Sequence, residues 1–232
     1  TDLLQALFGR NGESPMPVIA ATSPTNCFDA AYYASKMALE HMTPVVLLTD
    51  AFVANGSGAF KLPDLNDYPD ICPPYVTPEM AGSYTPYMRN PDTQVRYWAI
   101  PGQEGYMHIL GGLEKDGRTG AISTDPENHD KMCRLRAEKV ARIPVPDVEV
   151  QGCVDDAELL IVGFGGTYGH LHSAMDEMVA TGKKVALAHF SYLNPLPANT
   201  AEVLKRYKKV VVAEQNLGQF AAYLRMKVDG FV

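Results

Sequence analysis

Two stretches of the chain carry short apolar runs followed by longer amphipathic ones, and a proline-rich stretch lies between them. In the first, residues 17–21 form an apolar run that predicts a buried strand. Residues 44–49 predict another, apolar throughout as in a parallel strand covered on both faces. Between them, Ser23 or Thr25 can cap a helix that runs to about Met42. Its 3-and-4 spacing predicts a buried face of Phe28, Ala31, Tyr32, Ser35, Ala38, Leu39 and Met42. Strand, helix and strand with short links make a βαβ unit. A helix is also expected at the very start, Thr1-Asp2-Leu3-Leu4, which has no initiator Met, so the chain is expected to be a piece of something longer.

The texture changes over residues 59–101, where Pro63, Pro69, Pro73, Pro74, Pro78, Pro86, Pro91 and Pro101 fall. Each fixes its own φ and restricts the residue before it, which predicts a long ordered crossover between two domains. Residues 106–113 and 119–123 read as the arms of a hairpin around Asp116-Gly117. Asp125-Pro126 then starts a helix, with Asp as cap, Pro at the first helical position and basic residues toward its end. From Asp156 the pattern is βαβαβα. Strands are expected at 158–164, 183–190 and 209–213, and helices end near Thr181, with Gly182 as cap, and span 197–207 and 217–227. Such an order makes a parallel sheet with right-handed crossovers, so the fold class is α/β.

Composition narrows the function classes. Of 232 residues, 20 are Lys or Arg and 27 Asp or Glu, a net charge of −7. An acidic chain of this kind lacks the basic face that nucleic acid requires. No apolar run approaches the ~20 residues that span a bilayer, so no membrane role is expected. The cysteines, Cys27, Cys72, Cys133 and Cys153, include no C-x-x-C pair, so neither a zinc knuckle nor an iron–sulfur cradle is spelled. They read as free thiols in a reducing, cytoplasmic setting.

Candidate chemistry is sparse. The turn Gly163-Phe164-Gly165-Gly166-Thr167-Tyr168-Gly169 lies between strand and helix, where free N–H groups can hold a phosphate. Its third glycine comes one residue late for a dinucleotide fingerprint, and the next strand ends in His189-Phe190-Ser191 without a carboxylate. A turn that packs helix closely on strand is the plainer reading. His170 and His172 project about 200° apart on a helix and cannot share a metal. Ser57 fails the G-x-S-x-G pattern because Asn55 stands where the first glycine should be. Asp50, just past the carboxyl end of a strand, stands where open sheets place ligands, or else bonds loop N–H groups over residues 53–57. Glu214-Gln215-Asn216 stands in the corresponding place near the end, where Glu214 can also satisfy the last helix's N-terminus.

The stretch Thr1-Asp2-Leu3-Leu4-Gln5-Ala6-Leu7-Phe8-Gly9-Arg10-Asn11-Gly12-Glu13 resembles the alpha subunit of 2-oxoglutarate:ferredoxin oxidoreductases. So do residues 38–50 with Ala54-Asn55-Gly56-Ser57, Asp125-Pro126-Glu127-Asn128-His129, Tyr192-Leu193-Asn194-Pro195-Leu196-Pro197 and Glu214-Gln215-Asn216-Leu217-Gly218-Gln219. The resemblance implies oxidative decarboxylation of a 2-oxoacid, here 2-oxoglutarate, on thiamine diphosphate, with electrons passed through iron–sulfur clusters to ferredoxin and the acyl group to coenzyme A as succinyl-CoA. It further implies that residues 1–60 end a pyrimidine-binding domain, 61–155 form a family-specific connector, and 156–232 form a domain like the C-terminal domain of transketolase. Diphosphate, Mg2+ and clusters would be held by a beta subunit, and no cofactor or metal is expected on this chain alone. No residue here is then expected to be catalytic. Asp50, Asn55, Ser57, Glu214 and Asn216 remain as interface candidates, in a homo- or hetero-oligomer. The alternatives are a sibling enzyme acting on pyruvate or a branched 2-oxoacid, and a non-catalytic interaction module.

Overall fold

The run at 17–21 is apolar because its strand is covered on both faces: Val18, Ile19 and Ala20 are all buried. In the computed structural model, which describes residues 3–231, α1 (Leu3–Phe8) precedes this strand, β1 (Val18–Ala20). Thr1 and Asp2, where the opening helix was expected to begin, and Val232 lie outside the described residues. Ser23 caps a single 3-10 turn, accepting from the Asn26 N–H at 3.2 Å, and this turn leads into α2 (Cys27–Glu40). Parallel β2 (Val46–Leu48) pairs with β1, Ile19 opposite Leu47, which completes the βαβ unit.

The buried face of α2 differs from the expected one. Ala30, Ala34 and Met37 are buried, whereas Phe28, Ala31, Ser35 and Leu39 are exposed. Small side chains let a helix approach closely, and the larger ones are used elsewhere. The rings of Phe28, Tyr32 and Tyr33 surround Tyr68 of the proline-rich stretch, Tyr32 with centroids 4.7 Å apart. The Tyr68 hydroxyl donates to Asp29, and the Tyr32 hydroxyl donates to the Pro69 carbonyl at 2.9 Å. Further along, Trp98 Nε1 donates to the Leu39 carbonyl at 2.9 Å. The crossover is thus ordered by side chains that reach back to α2, with 3-10 turns at Leu65–Asp67 and Pro78–Met80 and no strand of its own.

A short helix, α3 (Ala51–Asn55), follows β2 and had no separate signal in the sequence. The hairpin is shorter than expected. Lys115 bridges Ile122, the turn spans 116–121, and the left-handed residue is Gly120, at φ 75°, not Gly117. Asp116 Oδ1 accepts from the N–H groups of Arg118 and Thr119. The other expected arm, 106–113, is not a strand, because the chain opposite it enters a helix and leaves no backbone to pair with. Met107, Ile109 and Leu113 are instead 95 %, 92 % and 80 % exposed. That helix, α4 (Pro126–Ala141), is capped by Asp125 Oδ1, which accepts from the Glu127 N–H. Asn128 ties it to the turn by accepting from Gly117 N–H and donating to the Lys115 carbonyl.

The second segment adds β3 (Val150–Gly152), β4 (Leu159–Phe164), α5 (Tyr168–Ala180), β5 (Val185–Phe190), β6 (Tyr192–Asn194), α6 (Thr200–Arg206), β7 (Val210–Val212) and α7 (Gln219–Lys227). Strand order is β3-β5-β4-β7, with β4, β5 and β7 parallel as expected. β3 was not foreseen; it pairs antiparallel with β5. Helix α6 begins at Thr200, whose N–H reaches the Pro197 carbonyl at 3.0 Å, so the first residues after Pro197 are a turn. The second sheet, β2-β1-β6, is built from both segments: β6 leaves β5 across Ser191 alone and pairs antiparallel with β1. One core serves both sheets. It holds Leu3 and Leu7 of α1, Val18 and Ala20 of β1, Val162, Phe190, and Phe220, Tyr223 and Leu224 of α7.

Two consequences can be measured. Phe220 is fully buried, its ring centroid 5.1 Å from Phe164 and 5.3 Å from Phe190. Phe220→Ala should cost about 3–5 kcal/mol in urea unfolding, through lost transfer energy and a cavity. His189, the last-but-one residue of β5, packs edge-on to Tyr168, and burial pushes its pKa from 6.5 down to about 4. The unfolded chain then binds more protons than the folded chain between those values. Stability therefore falls as pH drops from 6.5 toward 4, by about 3 kcal/mol in all. His189→Gln should flatten that part of the pH–stability curve.

Candidate functional site

Open α/β sheets receive ligands at the carboxyl ends of their strands, where helix N-termini present unpaired N–H groups. Here the carboxyl ends of β1 and β4 meet: a Cβ on Gly165 would lie 3.8 Å from Ala20 Cβ. The Gly-rich turn after β4 forms a 3-10 turn, Gly165–Thr167, that leads directly into α5. Its glycines have separate steric reasons. A Cβ on Gly163 would collide with Leu171 of α5, so that glycine sets the close approach of helix to strand. Gly165 adopts a left-handed φ of 60°. A Cβ on Gly166 would run into the carboxylate of Asp50.

Asp50 does what an anion would do at this turn. Its Oδ2 accepts from the Gly166 N–H at 3.1 Å, and its Oδ1 accepts from the Val53 N–H at 2.9 Å as the cap of α3. One exposed side chain thus joins the N-terminus of α3 to the Gly166 N–H, 116 residues from Asp50 in sequence. The expectation that Asp50 bonds loop N–H groups near Val53 agrees with this geometry, and the bond to Gly166 was not foreseen. Its only sequence signal was a strand-end carboxylate and a glycine-rich turn in the same protein.

Glu214 repeats the arrangement after β7. Its two oxygens accept from the Phe220 and Ala221 N–H groups at 2.8 and 3.1 Å, and Asn216 Oδ1 accepts from the Gln219 N–H at 2.8 Å. Helix α7 is therefore capped from two positions, with Gly218 left-handed before it. Asn55 and Ser57 join neither cluster. Both are exposed, and Asn55 Nδ2 donates to the Ala51 carbonyl at 3.0 Å. His170 packs on Phe52 and His172 pairs with Asp176 at 3.1 Å, so the two rings serve different neighbours.

Concave surfaces flank this junction. A groove of about 630 Å³ at the end of β1 is lined by Phe28, Asp29, Tyr33, Tyr68 and Tyr192. A second, of about 390 Å³, opens beside His189, Tyr168 and Gln151. Among the described residues, no group of three or more His, Cys, Asp and Glu side chains is placed to hold a metal ion, and no helix is long and apolar enough to cross a membrane.

Comparison with known proteins gives this architecture a family. Residues 1–115 match the family described as pyruvate flavodoxin/ferredoxin oxidoreductase, thiamine diphosphate-binding. Residues 157–230 match pyruvate:ferredoxin oxidoreductase core domain II. The chain is 49% identical over 226 residues to the 2-oxoglutarate oxidoreductase subunit KorA of Mycobacterium tuberculosis, covering 97% of this chain and 34% of that protein. It is 26% identical over 221 residues to the 2-oxoglutarate synthase subunit KorA of Methanothermobacter marburgensis, covering 94% of this chain and 58% of that one. Its structure superposes with a TM-score of 0.88 and 29% identity on a 2-oxoglutarate:ferredoxin oxidoreductase from Magnetococcus marinus solved with 2-oxoglutarate, coenzyme A and succinyl-CoA bound; the match covers 99% of this chain and 40% of that one. The chain thus spans between a third and three-fifths of the length of these relatives. Two successive domain families of one enzyme class, matched in order and in a shared fold, show that the chain belongs to the 2-oxoacid:ferredoxin oxidoreductase superfamily.

Proposed function

We propose that this chain is part of the alpha subunit of a thiamine-diphosphate-dependent enzyme that oxidatively decarboxylates 2-oxoglutarate. Coenzyme A receives the succinyl group, and ferredoxin receives the electrons by way of iron–sulfur clusters. The observation that carries this reading is the 49% identity, over nearly the whole chain, to a subunit named for 2-oxoglutarate. A broader 2-oxoacid range is the second reading, favoured by a relative from Aeropyrum pernix, 28% identical over 239 residues and named only for 2-oxoacids. In this reading residues 1–60 end the pyrimidine-binding domain, 61–155 connect, and 156–232 form the transketolase-C-like domain, all working in the cytoplasm.

In such an enzyme the cofactor carries the carbanion chemistry and the protein binds, orients and shields. The residues described here do not fit the diphosphate end of that cofactor. The helix starts at these strand ends already bond side-chain carboxylates, Asp50 at α3 and at the 165–167 turn and Glu214 at α7. Nor do the four cysteines fit a cluster, since they stand as separate free thiols. We therefore assign Mg2+, diphosphate and clusters to the beta subunit, and scaffold and contact surface to this chain. Asp50, Glu214 and Asn216 serve that scaffold by bonding backbone N–H groups of the same chain, while Asn55 and Ser57 are exposed and free to meet a partner. The exposed Met107, Ile109 and Leu113 add apolar surface of the kind that oligomer contacts cover.

Assayed as the full complex with coenzyme A and a viologen dye, 2-oxoglutarate should give the highest kcat/KM in a panel of 2-oxoacids. A preference for pyruvate or a branched 2-oxoacid would reject the substrate assignment, and turnover by this chain alone would reject the division of labour. Asp50→Ala should lower stability by about 1–2 kcal/mol in urea unfolding, the loss of a cap and a partner for Gly166. In the assembled enzyme it should leave KM for 2-oxoglutarate unchanged. A large rise in KM with stability intact would make Asp50 a substrate contact instead.

A further inference from the structure

Helix α4 carries His129, Cys133 and Arg136 at positions i, i+4 and i+7, which places all three on one face. Glu114, from the start of the hairpin, closes a ring with them. Its Oε2 bonds His129 Nδ1, and its Oε1 accepts from Arg136 Nη1 at 3.4 Å. A carboxylate can only accept, so the Nδ1 carries a proton, and in the neutral ring the Nε2 keeps its lone pair. That lone pair faces Cys133 Sγ at 3.8 Å. The sulfur also accepts from Arg136 Nη2 at 3.1 Å. Nucleophile, base and orienting carboxylate are thus arranged in sequence, with a guanidinium beside the sulfur where negative charge would develop. The His129 and Arg136 contacts hold the Glu114 carboxyl below the usual carboxylate range, which keeps it an acceptor.

The thiol borders a groove of about 1050 Å³ between α1, α4 and α7. Arg10, Arg134 and Lys227 line it, with Glu13 and Glu138 as the acidic groups; the Arg10 guanidinium donates to the Ala6, Leu7 and Ser14 carbonyls, and Arg134 pairs with Asp130 at 2.8 Å. The other cysteines have no such surroundings. Cys72 is the exposed one, Cys27 Sγ lies 3.4 Å from the Ser23 carbonyl, and Cys153 Sγ lies 4.0 Å from the Lys183 carbonyl.

We infer that Cys133 is a modification site that reacts with low-molecular-weight disulfides bearing carboxylates. His129 Nε2 takes the thiol proton. The sulfur attacks one sulfur of the disulfide, a new S–S bond forms to Cys133, and the old S–S bond breaks. The departing thiolate takes the proton from His129, so one disulfide and one thiol are exchanged for another pair with no net oxidant. Glu114 is a positioning residue, acting through His129. The mixed disulfide would then lie in the groove among its cations.

The test is mass-spectrometric timing of adduct formation on the intact folded chain with glutathione disulfide. Cys133 should react about tenfold faster than Cys72, although Cys72 is the more exposed. His129→Gln and Arg136→Gln should each bring Cys133 to the Cys72 rate while the Cys72 rate itself, an internal check on folding, stays put. The pH profile of Cys133, distinct from that of Cys72 in the native chain, should coincide with it in His129→Gln. Glu114→Asp should retain part of the rate that Glu114→Gln loses. Equal rates at the two cysteines, or a Cys133 rate indifferent to His129→Gln, would overturn the proposal. Equal rates with an uncharged disulfide would overturn the preference for carboxylates.

Discussion

The rest of the structure depends on the passage from β5 to β6. A single residue, Ser191, separates a central strand of the larger sheet from an edge strand of the smaller one, and its carbonyl accepts from the Ala20 N–H at 2.8 Å. Neither sheet can be built without the other. β1 needs β6 on one side and β2 on the other, while the core beneath β5 is filled by side chains of α1 and β1 as well as α7. Tyr223 reinforces the link from α7, its hydroxyl donating to Asn194 of β6 at 3.2 Å, and Asn194 in turn donates to the Met16 carbonyl ahead of β1. Apolar burial supplies the bulk of the drive, and these side-chain bonds fix which arrangement it takes.

Much of this was legible because local pattern and final environment agree. Strands β4 and β5 of the second segment are apolar on both faces and became the central parallel strands, with β7 at the sheet edge, and Asp125-Pro126 and Gly182 ended up at helix termini as their chemistry requires. What escaped were matters of partnership. The face of α2 was misplaced because periodicity counts apolar residues without saying what covers them. Phe28, Tyr32 and Tyr33 do meet apolar neighbours, but those belong to the proline-rich crossover and not to the sheet. β6 is three residues long and pairs with a strand far away in sequence, so no local signal could announce it. The hairpin arm at 106–113 has strand-like residues but no opposite backbone.

The candidate site was legible to a similar degree. Asp50 and Glu214 were recognisable as strand-end carboxylates, and each proved to be satisfied by backbone N–H groups of the same chain. The ring of Glu114, His129, Cys133 and Arg136 had only a helical spacing to signal it, since its fourth member comes from a different element. Membership of the superfamily, by contrast, was carried by short motifs in order along the chain, which no single physical pattern would have supplied.

The self-supplied carboxylates at the starts of α3, α5 and α7 have a further consequence. They are tethered counter-ions, present at an effective concentration that a dissolved metabolite rarely reaches. Nucleotides and sugar phosphates drifting past the junction meet positions whose complementary charge is already in place.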